Sequence, residues 1–287
     1  MPRARMRKLQ TMKSILVVDD EPMIPALVGA ALKADGYELL SAEDAAIGLD
    51  ILKHRSIDLL IADAESPDDE GFGLIAEARQ LHARMKIVVM AQVKSPETAI
   101  EALRHHVCEL LFKPFSVAEL RDTVHSALAA PELQNNIEIV SAKPEWLTLK
   151  IPCHLGAMQP LYRVITNLDQ TLDTELRESV GIAFRELLQN AIEHGCKCEA
   201  GKFVEVSYIR LQRAIVCHIK DSGTGFRLDD LEHAAISNPA DEPYSHLNKR
   251  AEIGMRPGGF GLMLAEQMVD ELVYNEIRNE VMFVKYL

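Results

Sequence analysis

The chain has 287 residues, 48% hydrophobic and 26% charged, the balance of a globular protein with two ordinary cores rather than a disordered chain. Acidic residues outnumber basic ones 43 to 31, and the formal net charge of −12 repels nucleic-acid phosphates, so no nucleic-acid partner is expected. No apolar stretch reaches the ~20 residues that span a bilayer, and the basic start MPRARMRKLQTM is not followed by the apolar core of a signal peptide. The expectation is a cytoplasmic protein without a membrane partner, with Met12 an alternative start. Five cysteines (Cys108, Cys153, Cys196, Cys198 and Cys217) fit reduced thiols better than a disulfide framework, and the C-x-C pair is a weak metal signal.

From residue 13 to 129 one pattern repeats: a short apolar run, a polar loop, then an amphipathic segment. The runs Ile15–Val18, Leu39–Leu40, Asp58–Ala62, Ile87–Met90 and Leu110–Phe112 predict strands covered on both sides. Stretches near Pro22–Ala34, Glu43–Lys53, Phe72–Leu81, Pro96–Arg104 and Val117–Leu128 predict helices, with Ser95–Pro96 and Ser116 as starts. Five such units make an α/β domain, a doubly wound parallel five-stranded sheet.

Asp19 and Asp20 follow the first strand, Asp63 follows the third, and Lys113 ends the fifth. Such sheets bind ligands at the carboxyl ends of their strands, so these groups are expected to converge. Carboxylates brought together repel one another unless a cation sits between them, and Mg²⁺ suits the place because it takes oxygen ligands and keeps waters for a phosphate. A single strand-end aspartate facing solvent would need no such explanation; the full set does.

These positions closely resemble the receiver domain of two-component response regulators, over roughly residues 13–129. The resemblance implies that Asp63 accepts a phosphoryl group from an upstream histidine kinase. Asp19, Asp20 and Asp63 would hold Mg²⁺, and Lys113 would pair with the phosphoryl oxygens, before a cis Pro114. Pro67 and Gly71 match the loop after the acceptor. Two positions depart from the family: Ala91 stands where Thr or Ser is usual, and Leu110 where an aromatic ring is usual. They put the ordinary switch in question while leaving the acceptor chemistry in place.

Pro131 to Pro144 reads as the boundary, a linker over 130–144 in which Ile137–Val140 could add a short strand. Beyond it Trp146–Ile151 predicts a strand, Leu155–Leu168 and Leu176–Glu193 long helices, and Phe203–Leu211 with Ala214–Ile219 paired strands. A helix over Leu262–Val269 and a hairpin of Leu272–Ile277 with Val281–Tyr286 follow. The order predicts an α+β domain over 145–287, an antiparallel sheet covered on one side by helices.

Within it, FRELLQNAIEHG places Glu186, Asn190 and His194 on one helical stripe, with Leu187, Leu188, Ala191 and Ile192 beside it. A helix with a solvated polar face would look similar, but two glycine clusters follow. Asp221-Ser-Gly-Thr-Gly225 comes after a strand, and Gly258-Gly259-Phe260-Gly261 leads into a helix where N–H groups can receive phosphates. No P-loop and no dinucleotide fingerprint occurs. Asp221 can accept from an exocyclic amino group, which favours adenine, and Asn190 can hold a Mg²⁺.

In order, these motifs resemble those of the Bergerat-fold ATPases, a group that includes histidine kinases and gyrase. The EHG ending and the short path between the glycine clusters look most like anti-sigma-factor serine kinases. The resemblance implies a Bergerat ATP-binding sandwich with Mg-ATP as ligand. Glu186 would be the catalytic base, Asn190 the Mg²⁺ ligand and His194 an orienting group. Asp221, Gly223 and Gly225 would line the adenine end, and Gly259 and Gly261 the phosphates. The stretch Ser237–Pro257, with Asn238, Arg250 and Arg256, would form a lid. The implied partners are a protein resembling a sigma-factor antagonist, phosphorylated on Ser or Thr, and a second copy in a homodimer. A non-catalytic module that sequesters a sigma factor or its antagonist is the alternative, and two vestigial sites a third.

Overall fold

The computed structural model describes residues 12–65, 71–129, 137–143, 145–169, 171–226, 242, 245, 252 and 259–287. They fall into two compact units, Met1–Val93 with Val107–Glu132, and Lys94–His106 with Leu133–Leu287.

The first unit carries a parallel sheet of β1 (Ser14–Val18), β2 (Glu38–Ala42), β3 (Leu59–Asp63), β4 (Lys86–Ala91) and β5 (Glu109–Phe112), in the order 2-1-3-4-5. All four pairings are parallel, which crossover helices make possible. Strands β1 and β3 are buried along their whole length, so they read as unbroken apolar runs rather than alternations. Helices α1 (Met23–Leu32) and α5 (Val117–Ala129) pack Val28, Leu32, Leu120 and Val124 onto Ile15, Val17, Leu59 and Ile61. Helices α2 (Ala45–His54) and α3 (Gly71–Leu81) pair with each other and with β1 and β3. Asp44 caps α2, and Ser116 forms a reciprocal box with Glu119 at the start of α5 (Glu119 N to Oγ 3.1 Å, Ser116 N to Oε2 2.7 Å). Between β4 and β5 runs α4 (Pro96–Arg104), capped by Ser95 with Pro96 in its first turn.

The second unit holds a six-stranded, wholly antiparallel sheet in the order β10-β11-β9-β8-β7-β6. Its strands are β6 (Glu138–Lys143), β7 (Trp146–Pro152), β8 (Phe203–Arg210), β9 (Ala214–Lys220), β10 (Glu271–Tyr274) and β11 (Glu280–Tyr286). Residues alternate in and out, so Leu147, Leu149, Val204, Val206, Tyr208, Cys217, Ile219, Val281 and Phe283 form one buried face. Helices α6 (Met158–Asn167), α7 (Thr174–Asn190) and α8 (Gly261–Met268) cover that face with Leu161, Val164, Val180, Phe184, Leu187 and Ala265.

Strand β6 lies inside the 130–144 stretch, where Ile137–Val140 offered a short strand; Ile139 and Ala142 pack on the core as it pairs with β7. Two expectations are corrected. The Leu155–Leu168 helix opens with a 3₁₀ turn, Leu155–Ala157, held by the His154 ring. Cys153 and Cys196, 43 residues apart, are joined as a disulfide with 6.0 Å between Cα atoms, where the sequence suggested thiols only. The end of β7 meets the end of α7 there, an adjacency no spacing announces.

Phe184 is fully buried on the inner face of α7. Phe184→Ala should destabilise the protein by about 3–5 kcal/mol in urea titrations, the usual cost of emptying an aromatic core site.

Candidate functional site

Two sites emerge, one in each unit. In the first, the carboxyl ends of β1 and β3 bring single oxygens of Asp19, Asp20 and Asp63 within 4.8 Å of one another. Asp19 and Asp63 are buried and Asp20 is exposed. Each buried carboxylate is fixed by the backbone two residues on: the Glu21 N–H donates to Asp19 Oδ1 (2.9 Å), and the Glu65 N–H to Asp63 Oδ1 (3.1 Å). Their other oxygens both accept from Lys113 Nζ at 2.9 Å, and Glu21 Oε1 is a third acceptor at 3.2 Å. The Lys113–Pro114 bond is cis. A Cβ on Gly71 would lie 2.4 Å from the Asp63 carbonyl oxygen, so only glycine lets α3 start this close to the acceptor.

Burial pushes the Asp19 carboxyl above the ordinary aspartate range, against hydrogen bonds from Lys113 and the Glu21 N–H. Burial opposes the Lys113 charge as well, but its hydrogen bonds to Asp63 and Asp19 and their Coulomb attraction outweigh it and hold the ammonium above its usual range. One lysine therefore faces three carboxylates and Glu21, an excess of negative charge that a divalent cation with oxygen ligands would neutralise. The donor set fits Mg²⁺: two buried oxygens and one exposed one, leaving positions for water. Ala91 is fully buried at the end of β4, and Leu110 is buried on β5. The Ala91 side chain offers no hydroxyl to a phosphoryl group.

The second site is a cavity between α7, α8, the end of β9 and the β10–β11 hairpin. Asn190, His194, Asp221, Gly225, Gly259 and Gly261 all line it, together with Leu187, Ala191, Ile219 and Leu262. Glu186 and Gly223 stand just behind this lining. Gly223 stands behind the wall: its N–H donates to Asp221 Oδ1 at 2.7 Å, and a Cβ there would lie 2.3 Å from the Gly195 carbonyl oxygen. Glu186 sits beside the cavity with Oε2 against Gly261, where a Cβ would come within 2.8 Å, and its Oε1 accepts from Arg185 Nη2 at 3.0 Å.

The last turn of α7 widens into a π-turn, Ala191–Gly195, closed by Cys196 N–H to Ala191 C=O at 2.8 Å. Such turns concentrate at functional sites because they re-aim side chains. Here His194 and Gly195 reach the cavity, and Gly195 comes so close to Asp221 that a Cβ would lie 2.2 Å from its carboxyl carbon. Burial pushes the Asp221 carboxyl above its ordinary range, and the Gly223 N–H works the other way. Gly225 has φ +77°, and a Cβ would meet the Ile277 carbonyl oxygen at 1.6 Å.

The sequence did not single out Phe226, Tyr274, Arg278, Asn279 and Glu280, which also line the cavity. Asn279 anchors the hairpin to the aspartate loop: its Nδ2 donates to the Asp221 and Gly223 carbonyls, each at 3.3 Å, and its carbonyl accepts from Asp221 N–H at 2.9 Å. The paired Asn275 and Asn279 of the hairpin were the only visible signal. Asn238, Arg250, Arg256, Gly258 and the expected lid lie outside the described residues, as does Pro67.

Lys113→Met should leave Asp19 and Asp63 buried without their counter-charge, lowering stability by about 3 kcal/mol in urea titrations with a chelator present. Added Mg²⁺ should recover part of that loss; an unchanged midpoint would contradict the pairing.

Residues 15–125 match the family model of the response regulator receiver domain, and residues 151–285 that of the histidine kinase-like ATPase domain. Among curated relatives, the DNA-binding transcriptional regulator NtrC of Bradyrhizobium sp. (strain RP501 Parasponia) is 29% identical over 203 residues, 71% of this chain and 42% of that one. The transcriptional regulatory protein GlrR of Escherichia coli (strain K12) is 31% identical over 114 residues, 40% of this chain and 26% of that one. The chain thus spans well under half the length of these relatives. A solved CheY-like receiver domain protein from Methanospirillum hungatei JF-1 superposes with a TM-score of 0.40 and 28% identity, covering 41% of this chain and 94% of that one. No helix among the described residues is long and apolar enough to cross a membrane. The chain joins a response regulator receiver domain to a histidine kinase-like ATPase domain.

Proposed function

We propose that the chain is a response regulator whose output is a Mg-ATP-binding domain acting on a partner regulatory protein. Asp63 accepts a phosphoryl group from an upstream histidine kinase, Asp19 and Asp20 join it in holding Mg²⁺, and Lys113 turns from the carboxylates to the phosphoryl oxygens. The single observation that supports this most is Lys113 Nζ poised 2.9 Å from both Asp19 and Asp63. A phosphoryl group adds charge and acceptors at that spot, enough to bias a two-state element.

In the second domain Asp221 accepts from the adenine amino group, Asn190 holds Mg²⁺ through its carbonyl oxygen, and Gly259 and Gly261 leave their N–H groups open to phosphate oxygens. Glu186 takes the proton from the hydroxyl of an incoming Ser or Thr, so that transfer depends on positioning and charge stabilisation. The partner is a protein of the sigma-factor antagonist type. DNA is not proposed as a target: the NtrC relatives carry DNA binding in their names, but this chain has a net charge of −12.

One observation favours a second role, a nucleotide-dependent binding module without transfer. The Glu186 carboxylate is paired with Arg185 and stands outside the cavity lining, so in this arrangement it is engaged by the chain's own guanidinium rather than turned to an incoming hydroxyl.

Two measurements separate these roles. Treatment with a small phosphodonor and Mg²⁺ should add one phosphoryl mass to the wild type and none to Asp63→Asn; no gain in the wild type removes the receiver from signalling by phosphate. Incubation with labelled ATP and candidate partners should label the partner, and Glu186→Gln should cut that labelling by about 10²-fold with nucleotide affinity unchanged. Partner capture that requires ATP but yields no label would instead establish the binding module.

A further inference from the structure

We propose that Tyr274 positions the nucleotide base, its hydroxyl donating to a ring nitrogen of adenine. This contact rests on the ATP-binding reading of the same cavity and fixes how the base sits in it.

Tyr274 lines the cavity, yet its hydroxyl oxygen is buried and has no hydrogen-bond partner among the described residues. Two charges act on it, Glu266 and Arg278, and neither is hydrogen-bonded to it. Phenylalanine would fill the same place without stripping water from a hydroxyl. The oxygen is therefore costly unless something that enters the cavity pairs with it.

The ring is held where it stands. Tyr274 pairs with Val281 in the β10–β11 ladder and packs against the core of the second unit. The next residue, Asn275, closes the hairpin. Its N–H donates to the Glu280 carbonyl at 3.0 Å, and its side chain donates to Asn279 Oδ1 at 2.8 Å and accepts from the Asn279 N–H at 3.2 Å. Phe226 meets the Tyr274 ring edge to face, with centroids 5.7 Å apart and planes at 82°. Phe226 is itself tied to the hairpin, its N–H donating to the Ile277 carbonyl at 3.1 Å. A ring fixed on both sides has no ready way to turn its hydroxyl out to water.

Phe226 directly follows the Asp221–Gly225 loop, the end of the cavity proposed for adenine, whereas Gly259 and Gly261 line the end proposed for phosphates. That neighbourhood assigns the hydroxyl to the base. Burial pushes the Tyr274 phenol up to about 12, so at neutral pH it keeps its proton and can donate. With Asp221 taking the exocyclic amino group, the acceptors left on adenine are its ring nitrogens.

Calorimetry of the full chain with Mg-ADP and with its 1-deaza, 3-deaza and 7-deaza analogues, each lacking one ring nitrogen, tests the contact. Tyr274→Phe should raise the ADP dissociation constant about tenfold. The urea midpoint of the nucleotide-free protein should stay unchanged or rise, because only an unpartnered hydroxyl is lost. One analogue should bind the wild type about tenfold more weakly than ADP, and Tyr274→Phe should no longer distinguish that analogue from ADP. A lowered urea midpoint would reveal a partner within the protein and overturn the proposal. Unchanged ADP affinity in Tyr274→Phe, or no analogue whose loss disappears in that variant, would overturn it too while leaving nucleotide binding in place. A wild type that takes up no ADP would overturn both this contact and the nucleotide reading beneath it.

Discussion

Three aspartates at strand ends share one local arrangement on which both sites depend. Asp19 after β1, Asp63 at the end of β3 and Asp221 after β9 each accept, through Oδ1, the N–H of the residue two places on, at 2.9, 3.1 and 2.7 Å. This is the aspartate turn by which a short side chain imitates backbone. One oxygen is committed to the chain and the other is left to face something else: Lys113 for Asp19 and Asp63, the close-packed Gly195 for Asp221. A carboxylate held this way keeps its direction without needing a rigid side-chain environment. Burial that raises the cost of ionisation at Asp19 and Asp221 is then opposed by a fixed dipole.

Around these anchors the chain is brought in close by glycine. Gly71 lets α3 start against Asp63, Gly195 lets the π-turn touch Asp221, and Gly261 leaves α8 within reach of Glu186. Each is a place where a methyl group would strike backbone or carboxylate, so the elements could not meet at those distances with any other residue. In the second domain the hairpin completes the arrangement, since Asn279 ties β10 and β11 to the aspartate loop from the far side.

The departures are as informative as the matches. Ala91 and Leu110 leave the acceptor cluster of the first domain intact, because its side-chain hydrogen bonds run directly between Lys113 and Asp19 and Asp63, and the Ala91 carbonyl still accepts the Lys113 N–H at 2.8 Å. What they remove is the hydroxyl and ring that would follow a phosphoryl group. In the second domain the Arg185 guanidinium donates to the carboxylate of Glu186.

Much of this was legible in sequence for a physical reason: both folds are built from local periodicities. Unbroken apolar runs gave away β1, β3 and β4, and alternation gave away β7 to β9. The caps at Ser95 and Ser116 were visible because capping is decided within four residues. Asp19, Asp20, Asp63 and Lys113 could be placed together because the carboxyl ends of parallel strands lie on one edge. Contacts between elements with no shared periodicity stayed hidden. The Cys153–Cys196 bond needed the end of α7 to fall next to the end of β7. Glu186 looked like part of the Asn190 stripe, yet one turn of helix is enough to carry a side chain from the cavity wall to its rim. Asn279 acquired a role only when a hairpin 58 residues after Asp221 folded back onto it. Sequence by itself determined which elements form and which charges sit at their ends; only the tertiary structure decided which of those ends meet, because meeting depends on packing between segments that carry no record of one another.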